Sequence, residues 1–156
     1  MLAPKLIAAL AACLALAAQG PEIGVMSFNI RYGTADDGAD AWPARREMVA
    51  GLIRREAPDV LGMQEALRFQ LDELRAALPV YGEVGVGRDD GGQAGEYAAI
   101  LFRTDRCELL RSGNFWFSDT PSVPGSRSWG NNVTRIATWA RLRDRATGRP
   151  LTVYNV

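Results

Sequence analysis

The order in which apolar segments change their period constrains this chain more than any other feature. Residues 23–30 form an apolar run of strand length. Pro43 suits the first turn of a helix, and Met48, Leu52 and Ile53 follow at helical spacing with paired arginines on the other side. Pro58 stops that helix, and residues 59–64 return to a strand-like run around Val60, Leu61 and Met63. Leu67, Leu71, Leu74 and Leu78 mark a second amphipathic helix, stopped by Pro79. Beyond it the pattern is strands only: a weak alternation over 81–87, then runs at 97–102, 107–117, 136–142 and 151–156. Asp144 and Gly148 mark a hairpin turn over 143–149. Strand-helix-strand-helix followed by hairpins buries its apolar faces best as a mixed sheet with helices packed on the outer face. At 156 residues there is room for one such domain.

Residues 1–18 stand apart from this pattern. A short start with Lys5 leads into a run of Ala and Leu, and Ala15-Leu16-Ala17 is a small-x-small cleavage pattern. That is the layout of a secretory signal peptide, and the run is short for a stable membrane span. The expectation is export to the periplasm or beyond, with the folded domain at 19–156. Leu10-Ala11-Ala12-Cys13 also resembles a bacterial lipobox, and lipidation of Cys13 would anchor the chain to a membrane. The residues after Cys13 stay apolar through Ala18, which favours ordinary cleavage. Cys107 is then the one remaining thiol, so no intramolecular disulfide is expected. It reads as a small packed residue in a strand. Trp116 and Trp139 read as core.

Composition narrows the chemistry. The chain has no histidine. Within it, histidine general bases, histidine metal ligands and Ser-His-Asp triads are excluded. A metal site must use carboxylate and amide oxygens, which suits Mg²⁺, Mn²⁺ or Ca²⁺ better than zinc. Acidic and basic residues balance at 18 each, which indicates no strongly basic nucleic-acid face.

Two apolar runs end in polar side chains. Ser27-Phe28-Asn29-Ile30-Arg31 closes the first strand on Asn29, and Pro58-Asp59-Val60-Leu61-Gly62-Met63-Gln64-Glu65 closes the second on Glu65. Neighbouring strands that end in polar groups at one edge make a convergent pocket. Glu65 supplies the carboxylate a hard cation needs, and Asn29 can orient that carboxylate or hold a phosphate oxygen without adding charge. Singly, either residue also reads as an ordinary polar end of an element.

Together the two segments resemble the endonuclease/exonuclease/phosphatase superfamily. Further stretches match a secreted bacterial branch of it: Gly95-Glu96-Tyr97-Ala98-Ala99-Ile100, Ser112-Gly113-Asn114-Phe115-Trp116-Phe117-Ser118 and Arg135-Ile136-Ala137-Thr138-Trp139. The resemblance runs from about residue 23 to 156. It implies a four-layer α/β sandwich, two mixed sheets face to face with helices outside. It also implies a phosphoesterase in which Glu65 ligates Mg²⁺ (Mn²⁺ or Ca²⁺ as alternatives), Asn29 orients the catalytic groups or the phosphate, and Arg135 sits near the phosphate. Trp129, in the long loop 119–132, and Asn131 are candidates for the pocket rim, with Trp129 a substrate contact. Tyr97 reads as packing. The loop Asp89-Asp90-Gly91-Gly92 reads as a solvated turn, since it lacks the spaced oxygen ligands of a Ca²⁺ loop.

The resemblance also places a phosphate-contacting histidine directly after a segment like Val153-Tyr154-Asn155-Val156, with an Asp-x-Asn pair and an Asp-His pair further on. The expectation is therefore an N-terminal fragment, inactive by itself, of a Mg²⁺-dependent hydrolase of phosphomonoesters or phosphodiesters. Nucleic acid, nucleotides, sugar phosphates and phospholipid head groups all stand as substrates, and no stable protein partner is implied. The competing expectation is a non-catalytic binding module on the same scaffold.

Overall fold

A computed structural model describes residues 22–156. The signal-sequence and Cys13 readings concern residues outside that range. Strand β1 (Val25–Asn29) leads through a long loop and a 3-10 turn (Gly38–Asp40) into helix α1 (Trp42–Glu56). Strand β2 (Val60–Ala66) and helix α2 (Arg68–Ala77) complete the β-α-β-α half. The remaining strands are β3 (Tyr81–Val84), β4 (Tyr97–Arg103), β5 (Cys107–Trp116), β6 (Ile136–Asp144) and β7 (Pro150–Asn155).

Local chemistry explains the boundaries. Pro43 occupies the first turn of α1, where its missing N–H costs nothing. Ala57 ends that helix in the left-handed region at φ 43°, with Arg54 and Arg55 in the last turn where positive charge suits the helix dipole. The buried face of α1 is Trp42, Val49, Ala50 and Ile53. This corrects the stripe expected from Met48, Leu52 and Ile53: Met48 is 64% exposed. The true stripe starts at Trp42 and repeats at i+7, i+8 and i+11, the spacing of one helical face. The Trp42 ring is fixed by an N–H bond from Nε1 to Glu73 Oε2 at 2.7 Å.

The strands form two sheets. The first has the order β1-β2-β4-β3, with β1 parallel to β2 and the other pairs antiparallel. The second has the order β5-β6-β7 and is antiparallel. Strand β4 is buried on both sides and shows how the layers are built. Tyr97, Ala99 and Leu101 face the helices with Leu61, Met63, Leu71 and Leu74. Ile100 and Phe102 face the second sheet with Cys107, Ala140 and Leu142. The described residues thus form three layers of the sandwich: helices, mixed sheet, antiparallel sheet. Trp116 is buried, but Trp139 is not in the core as expected. It is half-buried on the outer face of β6, lying over Gly113 of β5, where a Cβ would come within 2.8 Å of Trp139 Nε1.

A buried amide ties the two sheets together. Asn155, at the end of β7, donates from Nδ2 to the carbonyls of Met63 and Ala99 at 2.8 Å each. Its Oδ1 accepts from Gln64 Nε2 at 2.5 Å. Gly62 leaves the space for it, since a Cβ there would lie 2.9 Å from Asn155 Oδ1.

Candidate active site

Parallel pairing from Val25↔Val60 to Asn29↔Gln64 brings the ends of β1 and β2 side by side. Asn29 Nδ2 donates to Glu65 Oε1 at 2.8 Å. Asn29 Oδ1 accepts the backbone N–H of Arg31 at 2.9 Å, a local turn of the kind asparagine favours. That second bond fixes the amide, because only its oxygen can face an N–H.

Glu65 owes its direction to a bulge. Met63 pairs with Ala99 and Ala66 with Tyr97, so β2 carries one more residue than β4 over this stretch. Strict alternation would send Glu65 to the same face as Leu61 and Met63, into the core under the helices. The bulge gives that core place to Ala66, which is fully buried, and leaves Glu65 at the strand end. Glu65 itself takes a left-handed backbone, φ 59°, a conformation that costs a non-glycine residue about 1–3 kcal/mol. Its carboxylate is held by Asn29 and by the backbone N–H of Tyr32, 3.3 Å from Oε2.

These residues open onto a cleft of about 220 Å³. Asn29, Gln64, Glu65, Arg88, Glu96 and Arg135 line it, with Tyr97, Thr134 and Val156. Arg135 immediately precedes β6 and is exposed. Among the described residues its guanidinium makes no hydrogen bond or ion pair. Arg88 is engaged instead in a two-pronged pair with Glu96, at 2.8 and 3.0 Å. Tyr97 donates its O–H to Gly92 O at 2.9 Å, and burial pushes its phenol pKa up, so it remains a neutral donor.

Of the residues expected from sequence, Asn29, Glu65 and Arg135 share this cleft, with Tyr97 packed at its wall. Trp129 and Asn131 do not line it. Trp129 is 67% exposed, and its ring is held by Nε1 donating to Asp119 Oδ1 at 2.9 Å. Asn131 lines a separate shallow depression with Arg127 and Gly130. The acidic loop is a closed turn in which Asp90 Oδ1 accepts from Gly92 N at 2.7 Å and Ala94 N at 3.0 Å. Sequence reasoning passed over Gln64, Arg88, Glu96 and Asn155. Asn155 had a legible signal, a lone amide in an apolar strand run. The Arg88–Glu96 pair had none, because seven residues of turn and bend separate its members.

The donor set bears on a metal. Among the described residues no three His, Cys, Asp or Glu side chains converge. Glu65 offers a carboxylate with lone pairs left over from its two hydrogen bonds, whereas the charge of Glu96, the other carboxylate on the cleft, is already matched by Arg88. Mg²⁺ binds through one or two carboxylates and keeps several waters, whereas Ca²⁺ takes roughly six to eight oxygens. The residues present fit Mg²⁺ better.

Residues 26–151 match the model of the endonuclease/exonuclease/phosphatase family. The structure of an endonuclease/exonuclease/phosphatase from Bacteroides vulgatus superposes with a TM-score of 0.81 at 43% identity, covering 83% of this chain and 49% of that one. A mannosyl-6-phosphatase of Bacteroides thetaiotaomicron superposes at 0.82 with 36% identity, covering 85% and 50%. An uncharacterized protein of Acanthamoeba polyphaga mimivirus is 28% identical over 149 residues, 85% of this chain and 52% of the relative. The chain spans about half the length of the relatives it matches.

Proposed function

As the chain belongs to the endonuclease/exonuclease/phosphatase family, we propose that the whole protein hydrolyses phosphoester bonds at the Glu65 cleft, by attack of water on phosphorus. The observation that carries this reading is the Asn29–Glu65 pair, 2.8 Å apart at a shared strand edge, with the unpaired guanidinium of Arg135 on the same cleft. Arg135 binds the non-bridging oxygens of the phosphoryl group and stabilises the charge that grows on them. Asn29 and the Tyr32 N–H occupy one lone pair on each Glu65 oxygen and leave the others free in a residue that lines the cleft. Glu65 would hold Mg²⁺, with Mn²⁺ or Ca²⁺ as substitutes. When bound, the cation supplies positive charge to the phosphoryl and leaving oxygens.

Among phosphoesters we favour a sugar phosphate. The support is the 36% identity to a mannosyl-6-phosphatase, together with a net charge of zero, which gives little general attraction to nucleic acid. Export through the 1–18 segment belongs to the same proposal and would place the reaction outside the cytoplasm. The test is phosphate release by the full-length protein from sugar phosphates, nucleotides, phospholipid head groups and a DNA diester, each with Mg²⁺ and with EDTA. Turnover of a sugar phosphate that EDTA abolishes is expected. Binding of these compounds without any turnover, in Mg²⁺ or Mn²⁺, would favour the non-catalytic module instead.

A further inference from the structure

Gln70 is a fully buried polar side chain in the first turn of α2, and it neither lines the cleft nor hydrogen-bonds to the Glu65 carboxylate. Its amide makes three hydrogen bonds. Oε1 accepts the backbone N–H of Gly33 at 2.8 Å and that of Leu67 at 3.0 Å, and Nε2 donates to the Arg31 carbonyl at 3.0 Å. The Leu67 bond alone would cap the helix. The other two reach a different segment, the loop that follows β1.

That loop contains Tyr32, whose N–H meets Glu65 Oε2. Gln70 grips the residue on either side of it. Arg31 is left-handed at φ 63°, and Gly33 is pressed against α2: a Cβ there would lie 2.5 Å from Phe69 Cζ and 2.7 Å from Gln70 Cδ. On the other segment Gln70 grips Leu67, two residues after Glu65. One buried amide therefore links the strand end that carries the carboxylate to the loop that carries its second donor. With the loop released, Glu65 would keep only its bond from Asn29.

We propose that Gln70 is a positioning residue that sets the aim of the Glu65 carboxylate by holding the Tyr32 N–H against it. Its kinetic consequence rests on the function proposed above, but its structural claim does not. In the full-length protein, the Tyr32 amide proton should resonate downfield and move upfield in Glu65→Gln. Gln70→Met keeps the length of the side chain and removes all three hydrogen bonds. It should move the Tyr32 amide in the same direction and weaken Mn²⁺ binding, read by paramagnetic resonance, by about tenfold to a hundredfold. A lower melting temperature with the Tyr32 amide and Mn²⁺ affinity unchanged would mean that Gln70 only holds the fold, and would overturn the proposal. If Gln70→Met does not fold, Glu65→Gln gives the reverse reading, because the Gln70 side-chain amide resonances should shift in it. Unmoved resonances there overturn the proposal equally. If Glu65→Ala abolishes turnover while these couplings are absent, the catalytic reading stands and this one fails. If the couplings are present without turnover, the reverse holds.

Discussion

At the scale of single residues, the cleft separates side chains held in place from one that is not. Asn29 is committed at both ends of its amide, so Asn29→Ala removes a support of Glu65 and leaves the Arg31 N–H without its partner. A fall in kcat/KM of about tenfold to a hundredfold is expected in steady-state kinetics. Arg135 is exposed and its side chain holds nothing in the fold. Arg135→Ala should lower kcat/KM about a hundredfold while changing stability by less than about 0.5 kcal/mol in a denaturant titration. Away from the cleft, Asp144 accepts from Thr147 Oγ1 at 2.7 Å and Ala146 N at 2.8 Å and pairs with Arg106. The Thr147 hydrogen bond first, then the Ala146 N–H and the Arg106 charge, hold its carboxyl below the ordinary range. A lowered folded-state pKa stabilises above the unfolded value, near ~3.9, and that stability is lost as pH falls through the lower folded value. Melting temperatures of the wild type and Asp144→Asn should therefore differ at pH 6 and converge only once the pH has fallen through the lowered folded value, below the ordinary carboxylate range.

At the scale of elements, the predictions turn on which face each element buries. Ile53 is fully buried and Met48 is 64% exposed. Ile53→Ala should cost about 2–5 kcal/mol, and Met48→Ala less than about 0.5 kcal/mol, in chemical denaturation. Gly62→Ala would press a methyl against Asn155 and should cost about 1–3 kcal/mol, with loss of the inter-sheet bonds. The same elements show what the sequence could convey. Both helices and the order of strands were legible, because period and proline stops are local signals. The buried face of α1 is hard to read from Met48 onward, because its stripe starts at Trp42, one residue before the proline that marks the helix start. Trp139 was misassigned because hydrophobic size does not tell the two faces of a strand apart. The bulge at Glu65 was not legible, since register is fixed by pairing with β4, far away in sequence.

At the scale of the whole molecule, the cleft lies where both sheets end. The C-terminal ends of β1, β2 and β7 and the N-terminal ends of β4 and β6 meet there. That is why Asn29 and Glu65, legible as polar ends of strands, meet in space with Arg135, which the family resemblance implies and which stands just before β6. Trp129 belongs to a loop, and no strand end delivers it to the cleft. Asn155 crosses between the sheets directly beneath Gln64, so the packing of the sandwich and the floor of the cleft depend on one amide. The proposed function rests on phosphoester hydrolysis at this cleft through Glu65. The direct measurement is kcat/KM for phosphate release by the full-length protein and by Glu65→Ala, at the same Mg²⁺ concentration and with folding checked by thermal melting. A folded Glu65→Ala should lose at least about a thousandfold of the wild-type rate. A folded Glu65→Ala with wild-type turnover would contradict it.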